Sequence, residues 1–279
     1  MRNEAQTEYW NGDAGQNWVR NADKLDLLLL PFVEALLKRV DLKQSEHVLD
    51  IGCGAGALTL SAAAIVGSER GAVGVDVSAP LVNLARSRAA VSGQPATFVV
   101  DDASSFRAEK PLDAAISRFG VMFFDDPAEA FTSIRRNLRP EGRLAFVCWA
   151  PLRENPWATI ALDAVSAMLT DPLPSPAPGT PGPFSMADAD DIRAVLHGAG
   201  WRGVQVEAFR PELVLPGETV PEIAEFLMQM GPAARVLQAQ MLDHNHVKAA
   251  LCERLSQLAS TGTQIKLPSS TWIVSATAS

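Results

Sequence analysis

Residues 47–56 read His47-Val48-Leu49-Asp50-Ile51-Gly52-Cys53-Gly54-Ala55-Gly56. An apolar run (Val48, Leu49, Ile51) leads straight into glycines at 52, 54 and 56, with one acid, Asp50, just ahead of them. Such a run, bounded by glycines, predicts a buried parallel strand. The strand ends in a tight turn, and a helix is expected to start between Ala55 and Leu58. Glycines let backbone approach a ligand closely, and the first turn of a helix offers unpaired N–H groups.

Working outward, the next apolar run, Gly71-Ala72-Val73-Gly74-Val75-Asp76, ends in a second acid. It lies about 20 residues beyond the glycines, the spacing at which an acid meets a ribose hydroxyl pair in nucleotide-binding α/β folds. Ser78 suits the cap of the helix that follows, which leaves Asp76 free for a ligand. Strands are predicted at 47–52, 72–77, 96–101, 112–118 and 143–149. Helices are predicted at about 24–40, 56–66, 79–91 and 127–138, with a turn at 139–142. Repeated β-α alternation with apolar strands predicts one doubly wound α/β domain: a mostly parallel sheet with helices on both faces.

The glycine spacing is Gly-x-Gly-x-Gly, and Ala57 stands where a dinucleotide fingerprint has its third glycine. Asp50 is a poor neighbour for a pyrophosphate and a good one for an ammonium group. Val48 through Gly56, with Asp76, resembles the class I S-adenosylmethionine-dependent methyltransferases. The likeness extends over about residues 40–150 and is nearest to the small-molecule branch that includes the ubiquinone and menaquinone biosynthesis enzymes.

The resemblance implies a Rossmann-like sheet of seven strands, the last antiparallel, with a partly helical cap inserted before the final strands. It implies S-adenosylmethionine as cofactor and S-adenosylhomocysteine as product. Asp50, Gly52, Cys53, Gly54 and Gly56 would form the methionine cradle. Asp76 would bind the ribose, with Val77 near adenine. Asp101 and Asp102 compete for the adenine edge; Asp102 is favoured, with Ala103 supplying a backbone contact. Arg118 and Phe119 end the fourth strand at the cofactor. Arg118 is read either as a carboxylate anchor or as a structural ion pair. Tyr9, Trp10 and Trp18 sit in an otherwise polar leader, and Trp10 and Trp18 are expected to close over the cofactor, where ring faces attract a sulfonium. The same aromatics could instead strap a helix to the body. No Asn/Asp-Pro-Pro-aromatic element follows the fourth strand, so nucleobase-amine and glutamine methylation lose support.

The implied division is an N-terminal lid over 1–40, a cofactor-binding core over 41–150, and a C-terminal part over 151–279. In that last part, segments at about 151–185 and 217–262 cap the acceptor side. Asp171 to Pro183 holds prolines at 172, 174, 176, 178, 181 and 183, which excludes helix or central strand there. A helix is expected over 186–199, an edge strand over 203–215, helices broken at Gly231-Pro232 over 219–260, and a last strand over 270–276.

The net charge of −8 disfavours a phosphate backbone as partner. The three cysteines, Cys53, Cys148 and Cys252, form no metal or disulfide pattern. No apolar stretch is long enough for a secretion signal or a bilayer span, so a cytoplasmic chain is expected. His47 and His197 read as structural and solvated. His244 and His246 are spaced so that a helix turns their rings apart, and no metal site is expected. Methyl transfer from a sulfonium needs chiefly positioning and water exclusion, and no catalytic residue is identifiable. The acceptor is a small molecule of unread identity, and the oligomeric state is equally unread. Two rivals remain. A nicotinamide-dependent oxidoreductase shares the strand, turn and ribose acid, but lacks a Tyr-x-x-x-Lys pair. A non-catalytic S-adenosylmethionine-binding domain shares every feature except turnover.

Overall fold

The computed structural model describes residues 3–68, 71–171, 177, 179–240, 242–258 and 264–279. The prolines at 172, 174, 176 and 178, and part of the 217–262 segment, lie outside these residues. Four helices open the chain: α1 (Glu4–Asn11), α2 (Asp13–Arg20), α3 (Ala22–Leu28) and α4 (Leu30–Val40). The alternating part follows as β1 (Val48–Ile51), α5 (Ala57–Val66), β2 (Ala72–Asp76), α6 (Ala79–Ser92), β3 (Ala96–Val100), β4 (Leu112–Arg118), α7 (Pro127–Arg135) and β5 (Leu138–Trp149). Then come α8 (Pro156–Ser166), α9 (Ala189–Gly198), β6 (Trp201–Phe209), β7 (Glu212–Val214), α10 (Val220–Met228), α11 (Gly231–Gln240), α12 (His244–Leu258), β8 (Lys266–Pro268) and β9 (Thr271–Ala278).

Seven strands form one sheet in the order β3-β2-β1-β4-β5-β9-β6. Strands β1 to β5 pair in parallel, and β9 runs antiparallel between β5 and β6. This is the doubly wound arrangement expected from the sequence, with the strand order reversing between β1 and β4. Ligands bind beyond the strand C-termini at such a reversal. Strands β1 and β4 are buried on both faces, as central parallel strands require. Phe32, Leu49, Ile51, Phe131 and Phe146 are buried in the principal core. Among the described residues, no helix is long and apolar enough to cross a membrane.

Several expectations need correction. The single helix over 24–40 is two helices, because Pro31 occupies the first turn of α4 and cannot continue a preceding helix. The helix over 127–138 ends at Arg135. There the buried Asn137 turns the chain, its side-chain amide donating to the carbonyls of Ser133 and Phe106. The turn at 139–142 lies inside β5: its pairing with β4 jumps from Leu112↔Leu138 to Ala114↔Arg143, so those residues bulge out, with Glu141 at φ +62°. The edge strand over 203–215 is two strands. Strand β6 closes the main sheet, whereas β7 pairs with β8 in a separate ribbon. Among its described residues the 219–260 segment holds three helices; the break lies ahead of Gly231, which itself opens α11. The 186–199 helix is α9, started by Asp188, whose carboxylate accepts from the N–H groups of Asp190 and Asp191.

The turns after β1 and β4 are pressed together. A Cβ on Gly120 would stand 2.4 Å from the Ile51 carbonyl oxygen and 2.9 Å from Gly52 Cα. Gly120 has an ordinary φ of −82°, so its side chain is excluded by space alone. Gly120→Ala is expected to lower stability by about 1–3 kcal/mol in a denaturant titration, the usual cost of overpacking. An unchanged midpoint would show that the two turns part easily.

Candidate cofactor and acceptor site

The glycine turn is shaped by positive φ at Gly52 (+65°), Gly54 (+53°) and Gly56 (+88°), which side chains rarely tolerate. The three glycines do different things. Gly52 lies against Gly120. Gly56 faces Phe98 and Ala85 in the core. Only at Gly54 does a Cβ direction meet nothing within 4 Å. Cys53 turns its side chain into a buried cluster with Val82, Ala85 and Phe98, and burial holds its thiol well above the ordinary range. Gly56 therefore builds the turn from behind, whereas Cys53, with its side chain in that cluster, still borders the cavity under the turn.

Asp76, at the end of β2, is not free. Its Oδ2 accepts from the Gly54 N–H at 2.8 Å and its Oδ1 from the Ser78 N–H at 2.8 Å. Ser78 is not the side-chain cap of α6; its hydroxyl donates to the Trp10 carbonyl at 2.7 Å. Asn11 takes the capping role from a distance. Its Oδ1 accepts from the Ala79 N–H at 3.0 Å while its Nδ2 donates to the Val77 carbonyl at 2.8 Å. The N-terminal helices are thus fastened to the turn that follows Asp76. Gly15 permits this: a Cβ there would stand 2.0 Å from the Trp10 carbonyl oxygen.

A small cavity of about 30 Å³ lies beneath the glycine turn, lined by Asp26, Asp50, Gly54, Trp18 and Arg118 among others. Asp50 is 1% exposed. Its Oδ2 accepts from the Thr59 hydroxyl at 2.6 Å, but its Oδ1 is buried without a partner. Burial pushes this carboxyl from 3.8 up to about 7, against the pull of the Thr59 hydrogen bond and of Arg118. Arg118 enters the same cavity from the end of β4. Its Nη2 stands 3.5 Å from Asp26 Oδ1, and its Nη1 is buried without a partner. Burial lowers the guanidinium's pKa, while Asp26 and Asp50 oppose that shift. Asp26 is in turn held by Arg88 Nη1 at 2.8 Å, which also donates to the Ala55 carbonyl. Burying a charged group without hydrogen bonds is costly, so an unfilled acceptor and an unfilled donor in one cavity form a site built for a ligand of both signs.

A larger cavity of about 170 Å³ opens from the same turn. One end is bordered by Asp76, Val77, Asp101, Asp102 and Ala103. Asp102 Oδ1 accepts from the Ser104 N–H at 2.8 Å and from Asn3 Nδ2 at 3.3 Å, whereas Asp101 Oδ1 accepts from the Asp102 N–H at 2.8 Å. Gln6 borders this cavity from α1, and its Oε1 is buried without a partner. Trp10 and Trp18 form part of the wall, meeting edge to face at 5.5 Å, and Trp10 meets Phe123 in the same way at 5.2 Å. Phe119, at φ +64°, stacks on Trp149 at 4.3 Å, and both line the cavity, as do Met122, Phe123 and Phe124. Trp157 lines it too; Phe184 lies behind Trp157 at 6.2 Å. The far side comes from β7, α10 and α11.

The structure thus brings Asp50, Gly52, Cys53, Gly54, Asp76, Val77, Asp101, Asp102, Ala103, Arg118, Phe119, Trp10 and Trp18 around two adjoining cavities, while Gly56 borders neither. The sequence reading missed Asp26, Gln6, Asn11 and Gly120. His197, His244 and His246 are exposed and border neither cavity. Among the described residues, no cluster of three or more metal-ligating side chains occurs.

Residues 48–142 match the family model of a methyltransferase domain. Nocamycin O-methyltransferase of Saccharothrix syringae is 32% identical over 133 residues, covering 46% of this chain and 47% of that protein. Aklanonic acid methyltransferase DauC of Streptomyces sp. (strain C5) is 29% identical over 137 residues, covering 47% of this chain and 62% of that protein. The matched part thus spans 47% and 62% of these relatives' length. The crystal structure of YcgJ from Bacillus subtilis superposes with a TM-score of 0.58 at 16% identity, covering 88% of this chain and 97% of that one. Residues 48–142 thus resemble a methyltransferase domain, set in a chain that shares the fold of YcgJ.

Proposed function

We propose that this protein is an S-adenosylmethionine-dependent methyltransferase acting on a small molecule. The observation that carries the reading is the pair of orphaned buried atoms, Asp50 Oδ1 and Arg118 Nη1, in one cavity under the glycine turn. The amino acid end of S-adenosylmethionine carries an ammonium for the first and a carboxylate for the second. A dinucleotide offers a pyrophosphate there, which Asp50 and Asp26 would repel. Asp76 would take the ribose hydroxyls. Asp102, Ala103 and the unpaired Gln6 Oε1 would meet the adenine edge.

The bound cofactor supplies an activated methyl group on a sulfonium whose departure leaves a neutral thioether. The chain's own part is to bind, orient and exclude water. Helices α1 and α2, with Trp10 and Trp18, serve as the lid over residues 1–40. Trp10 and Trp18 present ring faces or edges to the cationic region. Phe119 and Trp149 wall the path to the acceptor, and helices α8, α10 and α11 cap it. Among the described residues, the wall contributed by β7, α10 and α11 contains no histidine, lysine or carboxylate. Catalysis on this plan rests on proximity and desolvation.

The relatives named for nocamycin and aklanonic acid support a small-molecule acceptor. The net charge of −8 supports it over nucleic acid. The acidic composition and lack of a disulfide pattern fit a cytoplasmic setting. Turnover separates this reading from a silent cofactor binder: S-adenosylhomocysteine is expected to accumulate when a panel of phenols and carboxylic acids is supplied with cofactor. Binding without turnover on any acceptor would favour the binder. Asp76→Ala is expected to weaken S-adenosylhomocysteine binding by about 1.5–3 kcal/mol, since it removes charge-assisted bonds to the ribose and frees the Gly54 N–H. Calorimetry reads this directly, and an unchanged affinity would remove Asp76 from the site.

A further inference from the structure

The acceptor half of the large cavity carries one charged side chain from the cap, Arg235 on α11. Its guanidinium carbon lies 4.4 Å from the Tyr9 ring centroid. Among the described residues, no carboxylate stands within ion-pair distance of it, and the ring contact is its only polar or electrostatic partner. The other cavity cation, Arg118, is already faced by Asp26. Arg235 is half-buried, in a wall otherwise made of Leu213, Phe226, Leu227 and Met230. An arginine in such a wall calls for an anion.

Two further features bear on what that anion belongs to. The first is the aromatic wall. Phe119 stacks on Trp149 at 4.3 Å with 13° between planes, and Trp149 meets Trp157 at 4.8 Å with the rings tilted by 46°. Trp157 lies directly under Gly231, where a Cβ would stand 2.9 Å from its ring. Arg235 follows Gly231 by four residues on the same helix, so it projects from the same face about 6 Å further along. The second is the absence of a base among the residues that β7, α10 and α11 bring to the cavity. An acceptor that is already an acid at neutral pH brings its own negative charge and needs no proton removed by the protein.

We infer that the acceptor is an aromatic acid, its ring packed against the aromatic wall of Phe119, Trp149 and Trp157 and its carboxylate or comparably acidic oxygen held by Arg235. This rests on the methyltransferase reading above. It adds a residue that selects the acceptor without touching the cofactor.

The test uses the full chain saturated with S-adenosylhomocysteine and two probes of one shape, 3-hydroxy-2-naphthoate and 3-hydroxy-2-naphthamide. Calorimetry is expected to give at least tenfold tighter binding for the acid. Arg235→Gln should erase that preference while leaving the amide and S-adenosylhomocysteine affinities unchanged, and Arg235→Lys should keep part of it. Tyr9→Leu removes the ring under the guanidinium but not the charge, and should leave the acid preferred. Equal binding of acid and amide, or no binding of either, overturns the inference. So does an Arg235→Gln variant that weakens both probes or the nucleoside alike, because Arg235 would then be a strap between α1 and α11. Failure of S-adenosylhomocysteine itself to bind the unmodified chain would instead fault the cofactor reading, and the two failures are distinguishable in the first titration.

Discussion

Asp50→Asn is expected to abolish measurable S-adenosylhomocysteine binding and, at the same time, to make the ligand-free protein more stable above pH 7. Both effects come from one buried carboxyl. Asp50 is packed against Thr59 of α5, Arg118 of β4 and the nearby Asp76 of β2, with Asp26 of α3 across the same cavity. Burial dominates these neighbours and raises its pKa from 3.8 to about 7. The sign follows from which state holds the proton. Below about pH 4 the group is protonated in both folded and unfolded chains. Between there and pH 7 the unfolded chain ionises while the fold keeps its proton, so stability falls, by about 4 kcal/mol in total. Above pH 7 the loss is complete.

Asparagine keeps an oxygen for the Thr59 hydroxyl and carries no charge, so the ligand-free variant should escape most of this loss. Its stability should be nearly level where the unmodified protein declines. Binding follows the opposite course. A ligand ammonium favours ionised Asp50, so affinity in the unmodified protein should rise as pH climbs through 7. The rise should stop near pH 8, where the ligand's own amine begins to lose its proton. Thermal melts and titrations at pH 5, 6, 7 and 8 check both limbs. A variant that binds normally, or one less stable than the parent at pH 8, would place the ammonium elsewhere.

Gly54→Val is expected to remove cofactor binding by a different route, leaving the fold standing. At Gly54 a Cβ direction points to open space, so the side chain would enter the ligand's volume rather than the core. The positive φ of +53° adds backbone strain for a branched residue, on the order of 1–3 kcal/mol. A folded chain with cooperative unfolding and no detectable S-adenosylhomocysteine binding is the expected result. A folded Gly54→Val variant of unchanged affinity would detach the glycine turn from the cofactor. The contrast with Gly120 is informative, because a methyl group there collides with backbone and is read in stability instead.

Much of this fold is legible locally. Strand β4 has the limits that the sequence predicts, Leu112 to Arg118, because its apolar centre, Ala114-Ala115-Ile116, is buried on both faces as a central strand requires. The glycine turn and both acids were legible for the same reason: they stand at strand ends. What local pattern did not give was partnership across the chain. Ser78 looked like a cap, but Asn11, 68 residues earlier, supplies that hydrogen bond to Ala79 and releases Ser78 to Trp10. Asp26 has no local signature within its helix, yet Arg88 and Arg118 draw it to the cavity. Gln6 has no signature beyond lying one helical turn before Tyr9 and Trp10. Gly120 stands two residues past the end of β4, and its necessity emerges only once Gly52 is packed against it.

The boundaries that shifted have similar causes. Strand β5 begins at Leu138 because Leu138 pairs with Leu112, a contact with no local signal, while Pro140 and Gly142 mark a turn. The run over 203–215 alternates throughout, but β8 captures its end as a separate ribbon, which periodicity alone does not reveal. Arg235 is the clearest case in the cap. A lone arginine on a helix ordinarily reads as a solvated face, and only the fold sets it beside Tyr9 and the cavity.

The most direct measurement is a calorimetric titration of the purified protein with S-adenosylmethionine, S-adenosylhomocysteine and NAD in parallel. Saturable binding of the two sulfur nucleotides, with none of NAD, is the expected result, since only the former carry an ammonium for Asp50 and a carboxylate for Arg118. Binding of NAD alone would contradict that assignment and give the glycine turn to an oxidoreductase.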